Sequence, residues 1–133
     1  MTGSRFIVRL AFGCLCLVLA CRESVGPKKP VPGNLYVRLQ TPNATDAAIR
    51  LTLTGPQIDA LAAAGDRLLF SLPVDATSRK VAVFGDLGTG DIFSFAVPDV
   101  NRADLYAVTL VQVATTTNAL RVPLTGYTFV VHD

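Results

Sequence analysis

Oxygen-bearing side chains in the second half of the chain have the types and spacing that could bind a cation, namely Asp86, Asp91, Asp99, Asn101 and Asp104. The segment from Asp99 to Asp104 begins like a calcium-binding loop, with oxygen ligands at its first and third positions. The pattern then fails, because Ala103 stands at the fifth position and Leu110 at the twelfth, where a bidentate carboxylate is required. We therefore expect a structural loop held by Asx-type hydrogen bonds. A weaker cation or ligand site, shared with Asp86 or Asp91, is the alternative, and no other metal site is expected.

A glycine-rich segment, Gly85 to Gly90, follows the apolar run Val81 to Phe84 and imitates a nucleotide-binding loop. Such a loop needs a helix N-terminus next, to hold the phosphates. The following residues, Asp91 to Pro98, instead alternate like a strand that ends in proline, and the lysine of a P-loop is missing. The sequence therefore predicts a glycine-rich hairpin loop and no nucleotide site.

Catalytic side chains are scarce. His132 is the only histidine, there is no Gly-x-Ser-x-Gly motif, and a histidine-based zinc site is excluded by count. Paired carboxylates for glycoside hydrolysis are the remaining enzymatic route, and every candidate is an Asp in a turn or loop. We therefore expect a non-enzymatic protein without a cofactor. A pocket lined by two Asp at hydrolase spacing would favour an enzyme, whereas a flat exposed apolar patch would favour a protein partner.

The N-terminus has the anatomy of an export signal. Arg5 and Arg9 are followed by an uncharged apolar run, Leu10 to Ala20, that is too short to span a bilayer. Val18-Leu19-Ala20-Cys21 closes this run and resembles the lipobox of bacterial lipoproteins. The resemblance implies cleavage between Ala20 and Cys21 and a lipid on the Cys21 thiol. An ordinary secretory signal that ends at Ala20 is the alternative.

The anchor hypothesis also accounts for the cysteines. Cys21 is the only cysteine beyond residues 1–20, so no disulfide framework can form there, and a lone thiol in an exported chain needs a role. Residues 21–33 contain three prolines and two glycines and are predicted to form a linker. The expected location is the cell envelope, on the outer membrane or on a membrane leaflet that faces the periplasm.

Charge argues against a nucleic-acid partner. Arg5 and Arg9 are two of the 12 basic residues, which leaves ten basic side chains to balance the ten acidic ones beyond residue 20. The predicted mature chain is thus neutral, whereas nucleic-acid binding usually requires a basic face.

Residues 34–133 have the alternating pattern of half-buried strands, as in Leu35, Val37 and Leu39. The other candidate strands are 49–53, 67–72, 80–84, 92–97, 105–114, 120–124 and 127–132. Seven or eight short strands punctuated by Gly, Pro, Asn and Asp predict an all-β, immunoglobulin-like sandwich. Thr54-Gly55-Pro56-Gln57 and the alanines that follow it also predict a short crossover helix at about 56–64.

In strand number and size the domain resembles cohesin-like and other immunoglobulin-like sandwiches of bacterial surface proteins, and no motif assigns it to one family. The resemblance implies binding or scaffolding. We expect a membrane-tethered sandwich that binds a partner protein, possible partners being other envelope proteins, or supports an envelope assembly. The alternatives are a module that binds carbohydrate or a small ligand through its loops, and an envelope hydrolase that uses loop carboxylates.

Overall fold

A computed structural model describes residues 26–133. Its elements are β1 (Gly33–Gln40), β2 (Asp46–Thr54), β3 (Asp59–Ala63), β4 (Leu68–Asp75), β5 (Ser78–Phe84), β6 (Gly90–Val97), a 3-10 helix (Val100–Leu105), β7 (Ala107–Thr115) and β8 (Thr128–His132). The predicted signal peptide, the cleavage site between Ala20 and Cys21 and the lipidated Cys21 lie outside the described residues. Within those residues, no helix is long and apolar enough to cross a bilayer.

The strands form two four-stranded antiparallel sheets, in the orders β3-β6-β1-β8 and β4-β5-β2-β7. The prediction of an all-β sandwich is therefore confirmed. A constant-type immunoglobulin sandwich has the strand orders 1-2-5-4 and 3-6-7. Here the first and seventh strands have exchanged places, and the eighth strand is added beside the first.

The core lies between the two sheets and follows the alternation seen in the sequence. In β1, Leu35, Val37 and Leu39 are fully buried while the residues between them point outward. The facing strands contribute the other large buried side chains, among them Ile49, Leu51, Leu53, Val81, Val83, Phe93 and Phe95. Period-two alternation thus places one row of each central strand in a shared apolar layer.

The predicted helix at 56–64 is wrong, because Asp59–Ala63 forms strand β3 beside β6. A helix would need the carbonyls of Gln57 and Ile58 to accept from amides four residues later. Instead the hydroxyl of Tyr106 donates to the Gln57 carbonyl at 2.8 Å, and Arg79 Nε donates to the Ile58 carbonyl at 3.2 Å. Long-range contacts and pairing with β6 therefore outweigh the helical propensity of the alanines.

Two further predictions need correction. The segment Gly85 to Gly90 is not a hairpin loop, because β5 and β6 belong to different sheets and this segment crosses between them. Leu87 is fully buried within this crossover, and Gly85 has a φ of 134°, which glycine adopts without strain. The predicted strand at 120–124 is reduced to one isolated bridge between Leu120 and Ala114.

The start of the domain includes part of the predicted linker. The N–H of Val31 donates to Asp99 Oδ1 at 3.1 Å, and the N–H of Val100 donates to the Val31 carbonyl at 2.9 Å. The chain is therefore held against the sandwich from Val31, two residues before β1 begins.

Candidate interaction surface

The loop after β6 is built by the side chain of Asp99. Asp99 Oδ1 accepts from the backbone N–H of Val31 at 3.1 Å and from the backbone N–H of Asn101 at 3.0 Å, so Asp99 caps the 3-10 helix. These bonds, first that from Val31, lower the pKa of Asp99. Asp104 is engaged by Arg102, whose Nε donates to Asp104 Oδ1 at 3.0 Å on the exposed surface. Each carboxylate of this loop thus already has a protein partner.

Asp91 lies in a different cluster, on the outer face of the other end of β6. His132 Nε2 is 2.9 Å from Asp91 Oδ1, and Arg38 Nε donates to the same oxygen at 3.0 Å. Tyr36 stacks on the His132 ring with the centroids 5.7 Å apart. The bond with Asp91 raises the pKa of His132, and the same bond is the main reason why the pKa of Asp91 is lowered.

The structure does not bring the predicted cation ligands together. Asp91 is near the start of β6 and Asp99 follows its end, and the stretch of strand from Asp91 to Val97 alone spans about 20 Å at about 3.3 Å per residue. Asp86 belongs to the crossover at the Asp91 end, where its backbone carbonyl accepts from Arg67 Nε. Among residues 26–133, no three His, Cys, Asp or Glu side chains are grouped as metal ligands. Asp91 and Asp99 therefore lie at opposite ends of β6, and the structure does not bring them into one site.

One shallow pocket is lined by two carboxylates, Asp59 and Asp75, together with Arg79. Asp75 Oδ1 accepts from the backbone N–H of Thr77 at 2.8 Å and lies 3.1 Å from its hydroxyl, and these bonds lower the pKa of Asp75. Asp59 accepts from the side chain of its neighbour Gln57 at 3.0 Å. A general acid for glycoside hydrolysis needs a raised carboxyl pKa. Asp75 serves the β4–β5 turn instead.

A buried carboxylate that the sequence analysis did not single out closes one end of the sandwich. Asp46 is 3% exposed and accepts from Arg121 Nε and from the Tyr127 hydroxyl, both at 2.7 Å. Burial is the first cause of the raised pKa of Tyr127, and its bond to Asp46 is the second. These hydrogen bonds join the long β7–β8 connection to the start of β2. No spacing in the sequence signals them, because the residues are up to 81 positions apart.

The most distinctive surface lies along β4, where the outward side chains are apolar. Leu68, Phe70, Leu72 and Val74 are between 53% and 63% exposed, and Phe84 of the adjacent strand is 42% exposed. Phe70 and Phe84 contact each other edge to face, with the ring centroids 5.9 Å apart. These five residues are called the β4 surface. With about 200 Å² for a whole aromatic side chain and somewhat less for an aliphatic one, it exposes roughly 500 Å² of apolar area.

β4 is also an uncovered sheet edge. It pairs only with β5, and no backbone hydrogen bond joins it to any other element of the described chain. The other edges are shorter or covered: β3 has five residues and a bulge, β8 has five residues, and residues after β7 fold back to bond Thr115 and Val113. Natural edge strands are usually protected by charges, bulges or proline. In β4 such protection is confined to the C-terminal end, where Pro73, a bulge between Pro73 and Asp75, and the charge of Asp75 lie, whereas Leu68 to Leu72 have none.

The sequence contains a signal for this surface that the strand prediction did not use. Leu68, Leu69, Phe70, Leu72 and Val74 place apolar residues on both faces of one strand, and Pro73 restricts that strand to an edge. In a sandwich of two sheets only one face of each strand meets the core, so a strand that is apolar on both faces exposes one apolar face.

Comparison with models of protein families, with curated proteins and with solved structures found no match for this chain, so the function has to be argued from the β4 surface itself.

Proposed function

We propose that this chain is a lipid-anchored protein of the bacterial cell envelope whose sandwich binds a protein partner along β4 and has no enzymatic activity. The observation that carries the proposal is the β4 surface, an apolar row on a sheet edge without a partner among the described residues. The largest exposed apolar patch on a typical soluble monomer measures about 300–600 Å² and is often functional.

The free edge favours a protein over a bilayer as the ligand of this surface. Backbone N–H and C=O groups that enter hydrocarbon without partners each cost several kcal/mol. An extended protein segment supplies those partners, because it adds a strand to the sheet and places alternate side chains beside the apolar row. Leu72 and its neighbours then lose contact with water while the β4 backbone gains hydrogen bonds.

Photocrosslinking in intact cells tests the binding surface. A photoreactive amino acid at Leu72, in the full chain, is expected to form a covalent adduct with a protein. The matched control is Val130, which is 45% exposed on the other sheet and lies outside the β4 surface. Adducts at Leu72 and none at Val130 support the proposal, whereas no adduct at Leu72, or equal adducts at both positions, contradicts it.

The anchor is proposed from the lipobox-like residues Val18 to Cys21. Val31, where the chain meets the sandwich, is the tenth residue after Cys21, so the tether spans at most about 35 Å. Cys21→Ser is expected to abolish incorporation of a fatty-acid analogue and to leave an uncleaved precursor. Label retained on the variant would refute the anchor without affecting the proposal for β4.

A further inference from the structure

We infer that the partner of β4 is β4 of a second copy of this chain, paired antiparallel about a twofold axis at Phe70, so that two sheets join into one of eight strands. This inference rests on the proposed function and names its partner. The strand that binds β4 must bond the backbone N–H and C=O groups that β4 does not share with β5.

Pro73 indicates which backbone N–H and C=O groups of β4 point away from β5. It pairs with Arg79 in the ladder to β5, and proline has no N–H to donate, so this pair is of the non-hydrogen-bonded kind. Hydrogen-bonded and non-hydrogen-bonded pairs alternate along an antiparallel strand. The backbone groups of Leu68, Phe70 and Leu72 therefore bond to β5. The N–H and C=O groups of Leu69 and Ser71, and the Pro73 carbonyl, therefore point away from the sheet.

A twofold axis at Phe70 pairs both outward donors that precede Pro73, the N–H groups of Leu69 and Ser71. It places Leu69 of each copy opposite Ser71 of the other, and each such pair exchanges two backbone hydrogen bonds. Pro73, which has no N–H to donate, is in neither of these two pairs. An axis placed further towards the C-terminus would set Leu69 against Pro73 and leave the Leu69 carbonyl without a donor.

The side chains are self-complementary in the same register. Phe70 lies beside its own symmetry mate, Leu68 lies beside Leu72 of the other copy, and aromatic and aliphatic cross-strand pairs of this kind stabilise sheets. No residue from Leu68 to Val74 is charged, so the axis brings no like charges together. The two apolar rows become one continuous row.

The buried area sets the expected strength of the dimer. The β4 surface exposes roughly 500 Å² per copy, and edge pairing covers only part of it, which places the total below the about 1,000 Å² of a stable interface in solution. Lipid anchors that hold both copies on one membrane raise their effective concentration. The dimer is therefore expected on the membrane and as a weak equilibrium in solution.

Disulfide trapping of the full chain in cells tests the inference. In this register the two Phe70 Cα atoms are about 4.5 Å apart, within the range of a disulfide. Val74 is on the same strand and is 53% exposed, yet its two copies lie eight positions apart in register, or about 26 Å. Phe70→Cys is expected to form at least about tenfold more disulfide-linked dimer than Val74→Cys. Equal trapping, or none, overturns the inference.

A second pair of variants tests the backbone bonds in the Phe70→Cys background. Ser71→Pro removes an outward N–H and leaves the ladder to β5 intact, whereas Ser71→Ala keeps that N–H. The proline variant is expected to lose most of the dimer and the alanine variant to keep it. Equal dimer in both contradicts strand pairing. A different protein crosslinked at Leu72, without Phe70→Cys dimer, overturns the second copy as partner while the proposed function stands.

Discussion

Replacement of Asp46 by Asn is expected to destabilise the domain strongly, because Asp46 is the buried charge that fastens the β7–β8 connection. Hydrogen bonds to charged groups contribute about 1.5–3 kcal/mol each, and Asp46 accepts two at 2.7 Å, from Arg121 and from Tyr127, and a longer one from Thr41 at 3.3 Å. The single amide oxygen of the variant side chain can still accept one of them, and the partly exposed Arg121 regains water. The expected loss is therefore about 3 kcal/mol, equivalent to roughly 15 °C in Tm for a domain of this size.

The assay is urea and thermal unfolding of a soluble chain of residues 21–133 that carries Cys21→Ser. Asp104→Asn is the matched control, because Asp104 pairs with Arg102 at 3.0 Å, with both side chains more than half exposed. Exposed ion pairs contribute little, so the control should unfold like the parent. A loss below about 1 kcal/mol for Asp46→Asn, or equal losses in both variants, would refute the view that burial gives this contact its strength.

Three further outcomes are expected from the same soluble chain. Gly55→Ala should lower the free energy of unfolding by more than about 2 kcal/mol, because the added Cβ would overlap the ring of Tyr106. A variant as stable as the parent would contradict this packing. Calcium at 1 mM should leave Tm unchanged relative to EDTA, since Asp99 is occupied as a helix cap; a stabilisation that Asp99→Ala removes would make that loop a cation site. The bond with Asp91 raises the pKa of His132, so protonated His132 stabilises the folded state. This contribution to the free energy of unfolding should be complete below the unfolded-state pKa of about 6.5 and be lost as pH rises through the folded-state pKa. The pH dependence of Tm should accordingly flatten in His132→Gln.

The central strands could be predicted from the sequence because their burial follows a simple alternation. In β1, for example, Leu35, Val37 and Leu39 face the core, and the strand spans Gly33–Gln40 as the pattern indicates. Local patterns were insufficient at β3, where the Tyr106 hydroxyl and Arg79 take the carbonyls of Gln57 and Ile58. Those contacts join residues that are distant in the sequence, so no window around the alanines contains them.

Local patterns also do not determine which sheet each strand joins. The glycines from Gly85 to Gly90 fit a hairpin as well as a crossover, and only the preference of β6 for β1 and β3 decides between them. The separation of Asp91 from Asp99, in contrast, follows from the strand predicted between them, because the two residues flank β6. The β4 surface could have been predicted from the sequence, because apolar residues lie on both faces of a strand that contains Pro73.

Amide hydrogen exchange on β4 tests the central claim most directly, because it reports whether the free edge is occupied. The measurement compares the full chain in native membranes with the dilute soluble chain, and follows the amides of Leu69 and Ser71, which point away from β5. Binding of a strand along β4 predicts that these amides exchange slowly in membranes and rapidly in the dilute soluble chain. Equally rapid exchange in both preparations would contradict the claim that β4 is a binding edge.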